Sequence, residues 1–378
     1  ERLNWRVGSL GETYSEGSQN LEIIPQGIQT IVIDTDDELI VGNEQDLLLD
    51  LWITNEQPTI ALPAGHEIAR SQHVIALART NVERETRPAD ITQQGEQLVV
   101  KADNVTWQLS KATGFITDWA TYGRSLLDAP ITDCFVRAPL DNDICSSEVD
   151  NPSPEAWLAK WQAADLFDLE HRCTGVEVCG ATVVCQHEYL NNAGVAIRSA
   201  WTHTFDAEGG VAIAIEVSVD SEMPPLPRVG MRLLLSDKPE VASWLGRGPH
   251  ENYPDRKLSA DLGAWVCDRQ AMQTPYIFPS DNGLRCDVRQ ALIGPVCIER
   301  IDDDFAFAVS DYGVESLKRA KHTYECIEHS ALHIHIDGYH MGVGGDDSWT
   351  PSVRPEYLLN AETYRWSCRL SVARDDQL

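Results

Sequence analysis

Acidic side chains stand close together at several points of this 378-residue chain, among them Asp141 with Asp143, Asp346 with Asp347, and Asp302 to Asp304. Two carboxyls can serve as acid and base, or as acid and nucleophile, only when both face one cleft. Proximity in sequence does not supply that. Asp141-Asn142-Asp143 is read instead as a turn closed by its own side chains. His333 and His335 fall on one face of a strand-like run, and His340 follows. A partly exposed strand face explains them more simply than a metal site. The ten cysteines include no Cys-x-x-Cys pair, so a structural zinc site is not expected. No Gly-x-Ser-x-Gly elbow or Walker-type phosphate loop occurs.

One stretch gathers more signals than any other: Met341-Gly342-Val343-Gly344-Gly345-Asp346-Asp347-Ser348-Trp349-Thr350-Pro351. Its three glycines allow backbone dihedrals that a Cβ forbids. Asp346, Asp347 and Ser348 can bond to nearby main-chain amides, and Pro351 confines Thr350 to extended conformations. The pattern presents one large indole from a shaped loop. An indole can stack on the C–H face of a sugar, and it can equally plug a core. Spacing alone leaves both open.

The elements that would carry such a loop are strands. The net charge of −29 argues against a nucleic-acid partner and suits a soluble protein with a neutral or cationic ligand. No apolar run approaches the roughly 20 residues needed to cross a bilayer, so no membrane association is expected. The cysteines lie mostly in or beside apolar runs, as at Cys267 and Cys297, and are read as reduced core thiols of a cytoplasmic protein. The opening at Glu1 lacks a methionine and a basic-then-apolar leader, and is read as an internal boundary.

Residues 1–90 read as a small β unit: Asn4–Val7, Leu21–Pro25, Gln29–Ile33 and Leu47–Ile53 are strand-like, spaced as in an immunoglobulin-like sandwich whose first strand is absent. A polar run with Pro88 and Gly95 makes 91–97 the expected linker. From 98 to 378 strands dominate, with a hairpin turn at Asp103-Asn104. One helix interrupts them: Ser153-Pro154-Glu155 supplies start signals, and Trp157, Leu158 and Trp161 share a face. The strand–helix alternation of a (β/α) barrel is missing. The fold class is all-β.

Several segments then occur in a recognisable order: Phe135-Val136-Arg137-Ala138-Pro139-Leu140-Asp141-Asn142-Asp143-Ile144, Trp244 to Arg256, Thr274 to Pro279, Asn282 to Cys286, and Ile336 to Met341 running into the glycine-rich loop. Together they closely resemble the C-terminal portion of bacterial lacZ-type β-galactosidases of glycoside hydrolase family two. The resemblance implies an immunoglobulin-like domain followed by a large antiparallel β-supersandwich of galactose-mutarotase type. It implies that both catalytic glutamates lie in a barrel outside this chain, so that no catalytic residue is expected here. Trp349 matches the family's tryptophan that stacks on substrate at the active-site mouth. Cys145, Ser146, Ser147, Glu148, Val149 and Asp150 match a mobile loop over that site, with Cys145 where well-known members have glycine. Phe278 and Pro279 resemble positions whose carbonyls hold a sodium ion; the family also uses magnesium.

The implied partners are the catalytic barrel and N-terminal domains of the same enzyme, or a separate large subunit, with a galactoside as substrate and a homo-oligomeric parent. Two readings of other classes stand beside this one. A free-standing galactoside-binding module would use Trp349 alone. An aldose 1-epimerase would need a His/Glu acid–base pair for which the sequence offers no motif.

Overall fold

The computed structural model describes residues 1–24, 26–33, 46–76, 86–146, 150–347, 350 and 352–374. The chain divides into two compact units, Glu1–Val82 with Asp261–Ala264, and Glu83–Ala260 with Trp265–Leu378. No helix among the described residues is long and apolar enough to cross a membrane.

In the first unit one antiparallel sheet is formed in the order Thr13–Asn20, Arg2–Gly8, Leu47–Thr54, Glu67–Ala76. The apolar run that forms Leu47–Thr54 sits centrally, where its side chains are best covered. Its one acid, Asp50, lies opposite Arg6 in register and pairs with it, while Gln72 donates to its other oxygen at 2.8 Å. That pairing removes the conflict of a carboxylate inside a β run. The expected strands at 21–25 and 29–33 do not form: residues 21–24 and 26–33 join no sheet among the described residues and leave Ile24, Ile28 and Val32 exposed, while Pro25 lies outside the described residues. Alternation alone does not make a strand without a partner edge.

The second unit contains three antiparallel sheets. A five-stranded meander runs in sequence order from Ile91–Gln94 to Arg124–Ser125. The expected linker 91–97 is therefore part of the fold. Ile91–Gln94 pairs with Gln97–Ala102 across a turn in which Gly95 takes φ 62°. Its Thr and Gln side chains look linker-like because this is an edge strand, wet on most of its surface. A nine-stranded sheet runs from Glu170–Cys179 at one edge to Asp261–Asp268 at the other. Strict alternation along Val211–Val219 buries Val211, Ile213, Ile215 and Val217, as period-two patterning requires.

The third sheet has the order Leu127–Cys134, Arg228–Leu235, Glu328–His340, Phe305–Tyr312, Arg285–Val288. Its centre is the thirteen-residue strand Glu328–His340. That position overturns the expected half-wet histidine face: His333 and His335 are both buried between flanking strands. Burial lowers the His333 pKa to about 4 and holds His335 well below its ordinary value. Among the described residues no group of His, Cys, Asp and Glu could hold a metal ion.

Two short helices complete what positions the site, α1 (Asp141–Ile144) and α2 (Trp157–Ala163). The helix face read from the sequence is the buried one, Trp157, Leu158 and Trp161. Its start is not: Ala156 occupies the N-cap without a side-chain bond, and Ser153-Pro154-Glu155 forms the preceding turn. No disulfide joins any of the ten cysteines, five of which are buried.

Candidate functional site

At His340 the central strand leaves the sheet and becomes the glycine-rich loop. Its backbone must find other partners. Met341 N–H donates to the Pro227 carbonyl at 3.0 Å, and Gly342 N–H to the Tyr357 carbonyl at 2.9 Å. The Asp255 carboxylate accepts the next two amides, Val343 at 3.0 Å and Gly344 at 2.8 Å. Asn142 Nδ2 donates to the Val343 carbonyl at 2.8 Å. Arg137 donates to the carbonyls of Met341 and Gly342, each at 3.2 Å. A Cβ on Gly342 would stand 2.5 Å from the Asp255 carboxylate, and Gly344 and Gly345 take φ of 67° and 105°. These are the positions where the sequence needs glycine.

Arg137 is the centre of this clamp. It is fully buried, and so is its partner Asp143, which it grips at 3.0 and 2.7 Å through Nε and Nη2. The Trp161 ring lies 5.6 Å from the guanidinium carbon. One side chain thus joins α1, α2 and the 341–342 carbonyls. A buried guanidinium is tolerated here because nearly every donor has an anionic or carbonyl acceptor.

The turn that carries Asp143 continues into the predicted mobile segment. Leu140 N–H donates to Asp143 Oδ2 at 2.9 Å, and Cys145 ends α1 in the left-handed region at φ 48°, ψ 34°. Its Sγ contacts the Asn142 carbonyl at 3.0 Å. Burial raises the Cys145 thiol pKa, with the Asp143 and Asp347 carboxylates adding to it. Ile144 packs with Leu158, and Phe278 lies against that pair. Further on, Ser146 Oγ donates to the Asn151 carbonyl at 2.9 Å, and Asp150 pairs with Lys321 at 3.3 Å.

Beneath the loop lies a second buried set. Arg228, with no exposed side chain, faces Asp281 at 3.4 Å and Asp337 at 3.3 Å. Tyr253 Oη and His340 Nε2 approach Asp281 at 3.4 and 3.6 Å. Burial acts to raise the Asp281 pKa, but Arg228 and His340 outweigh it and hold the carboxyl below its ordinary range. Asp337 has the same cation and fewer donors, and burial leaves its pKa raised. His340 Nδ1 meets the Met341 carbonyl at 2.7 Å, which links this set to the loop above.

The structure thus brings together Cys145, Asn142 and the loop root at 341–347. Trp349, Ser147, Glu148 and Val149 lie outside the described residues. Phe278 is half-buried and Pro279 buried. Of the residues that do the holding, Arg137 and Asp255 have no role legible in the sequence, and Asp143 only that of closing its own turn, which it does at the Leu140 amide. A lone arginine inside the apolar run Phe135–Leu140 was the available signal, since a buried cation demands a partner.

Residues 101–370 match the family model described as the β-galactosidase small chain. The chain is 41% identical over 378 residues to a β-galactosidase of Aeromonas hydrophila, which covers 98% of this chain and 36% of that protein. It is 37% identical over 369 residues to a β-galactosidase of Vibrio cholerae, covering 96% and 35%. A β-galactosidase of Klebsiella pneumoniae is 36% identical over 373 residues, covering 97% and 36%. The chain therefore spans little more than a third of the length of these curated relatives. Among solved structures, a putative aldose 1-epimerase from Escherichia coli K12 superposes at 14% identity and TM-score 0.39, covering 75% of this chain and 99% of that one; nothing rests on so loose a match. With the family model matching well over half of its residues, the chain belongs to the β-galactosidase small-chain family.

Proposed function

We propose that this chain is the C-terminal, non-catalytic portion of a cytoplasmic β-galactosidase that hydrolyses terminal β-D-galactosides such as lactose. Trp349 and the segment Cys145 to Asp150 complete the mouth of an active site whose barrel and glutamates lie elsewhere in the enzyme, and the portion also takes part in the parent's oligomer. The observation that carries this reading is family membership with coverage of little more than a third of the relatives. The clamp on 341–344 agrees with it, since a substrate-facing indole needs a fixed root. The Phe278 and Pro279 carbonyls would hold a sodium ion that stiffens their turn; magnesium belongs with the barrel.

Purified alone, the chain should not turn over a nitrophenyl galactoside, and covalent or two-chain restoration of the remaining portion should supply activity. Turnover by the chain alone, abolished by replacing one of its own carboxylates, overturns the reading. In the complete enzyme, Trp349→Ala should raise KM more than it lowers kcat, because stacking acts on substrate and transition state alike. A lone aromatic platform contributes roughly 1–2 kcal/mol, whereas a millimolar complex needs about 4 kcal/mol. The isolated chain should therefore bind galactose only at tens of millimolar or weaker. Sub-millimolar binding lost in Trp349→Ala would favour the free-standing binding module.

A further inference from the structure

Two irregular segments nearly two hundred residues apart in sequence share polar groups in the fold. Asn142 Nδ2 donates to the Val343 carbonyl at 2.8 Å, and its amide nitrogen lies 3.6 Å from where a Cβ on Gly345 would stand. The Asn142 carbonyl meanwhile meets the Cys145 thiol at 3.0 Å. On the loop side, Asp255 holds Val343 and Gly344 by their amides and, among the described residues, makes no hydrogen bond to the turn at 141–145. Arg137 fixes Asp143 on one side and the 341–342 carbonyls on the other, but it is fully buried and belongs to the core. Asn142 is only half-buried. It is an uncharged side chain that reaches from the turn into the loop without also building the core.

We propose that Asn142 is a positioning residue that couples the turn at Cys145 to the loop root at 343–345, so that the two segments loosen and tighten together. A single hydrogen bond suffices for this, because Val343 has left its sheet and α1 is only one turn long. Freeing the Val343 carbonyl releases the loop on one side. The same event removes the anchor that keeps Asn142, and with it the Cys145 contact, in place. The consequence for substrate rests on the function proposed above; the coupling itself does not.

Cys145 is a built-in reporter: it is half-buried and its thiol is tied to the Asn142 carbonyl, so a looser turn speeds its alkylation. In the full-length polypeptide containing this chain, N-ethylmaleimide labelling of each cysteine is followed by peptide mass spectrometry. Asn142→Ala should raise the Cys145 rate about five-fold, the factor expected for one lost hydrogen bond. Asp255→Asn, which disturbs the loop alone, should also raise it, by two- to five-fold. In the Asn142→Ala background, Asp255→Asn should add nothing. Cys185 and Cys368, fully buried in the large sheet, should stay protected throughout. An unchanged Cys145 rate in Asp255→Asn, additive effects in the double variant, or a rise shared by Cys185 and Cys368 would each overturn the coupling. Separately, Asn142→Ala should raise KM for a nitrophenyl galactoside several-fold with a smaller change in kcat. If labelling behaves as stated and KM does not move, the functional reading fails while the coupling stands.

Discussion

Two buried polar neighbourhoods of the second unit solve the same problem in opposite ways. In the nine-stranded sheet, His187 stacks on Phe115 at 4.5 Å, and His203 lies between Trp201 and Phe205 at 5.5 and 6.3 Å. Burial depresses their pKa values to about 3 and about 4, so both are neutral. Asp133, reaching these rings from the strand Leu127–Cys134, meets only uncharged donors: Tyr189 Oη at 2.7 Å, Ser199 Oγ at 2.9 Å and Trp201 Nε1 at 3.0 Å. Burial pushes its pKa up to about 6. Beneath the 341–347 loop, by contrast, Arg137 and Arg228 are buried against Asp143, Asp281 and Asp337. The difference lies in the backbone. Regular strands satisfy their own amides and carbonyls, so side chains among them need answer only one another: His187 and His203 stay neutral, and Arg228 and Asp337, both on strands, face each other. A loop that leaves the sheet presents unpaired amides and carbonyls, and charged side chains are the strongest partners for them.

If that contrast is right, the largest loss should come from the ionic neighbourhood. Arg137→Ala strands Asp143 without a cation and frees the Met341 and Gly342 carbonyls. The expected cost is about 3–5 kcal/mol, read as a drop in the denaturant midpoint of the large unit. Asp143→Ala should cost a similar amount, and the double variant much less than the sum, because neither charge is then left alone. A double variant at the full sum would mean that the two charges act independently.

Much of the sheet framework was legible in the sequence, and the clamp was not. Leu47–Ile53 read as a strand, Asp103-Asn104 marked its hairpin, and Trp157, Leu158 and Trp161 marked a buried helix face, because each signal is local. Residues 91–97 and 21–33 misled in opposite directions. Whether a polar or an alternating run becomes a strand depends on a neighbouring edge, which is a long-range fact. The clamp is longer-range still: Asp255 meets the loop from 88 residues away, and Asn142 from 201. Glycines at 342, 344 and 345 announced a shaped loop without naming what shapes it. Trp349 itself was reached through the family resemblance.

A smaller effect should separate the neutral neighbourhood from the ionic one by pH. A histidine whose folded pKa lies below its unfolded value of about 6.5 takes up a proton on unfolding. Its contribution is intact above pH 6.5 and is lost as pH falls towards the folded value, by up to about 1.4 kcal/mol per pH unit. Asp133 works the other way: its folded pKa of about 6 exceeds its unfolded one, so stability gains as pH falls from about 6 to 4 and offsets one histidine. The clean measurement is therefore a difference. His203→Phe keeps a ring between Trp201 and Phe205 and removes two nitrogens that lack a well-formed bond. Urea unfolding of this variant should match the parent within about 1 kcal/mol at pH 7 and show a shallower decline between pH 6.5 and 4.5. Parallel pH profiles would show that His203 is not held neutral.

The smallest effect concerns the strain that the ionic neighbourhood tolerates. Cys145 is held at φ 48° immediately after the turn fixed by Asp143. A residue with a Cβ carries roughly 1–2 kcal/mol of strain there, and glycine carries almost none. Glycine also gives the unfolded chain more freedom, which returns roughly 0.5–1 kcal/mol of that gain. Cys145→Gly against the parent is thus a difference of near-equal quantities, and it also loses the thiol contact with the Asn142 carbonyl. Comparing Cys145→Gly with Cys145→Ala removes the thiol from the comparison and leaves strain against chain entropy. The glycine variant should be the more stable of the two by about 0.5–1 kcal/mol, measured as a shift in denaturant midpoint at constant slope. An alanine variant at least as stable would show that the turn relaxes out of the left-handed region, and that the Arg137–Asp143 pair does not dictate the backbone where it leaves α1.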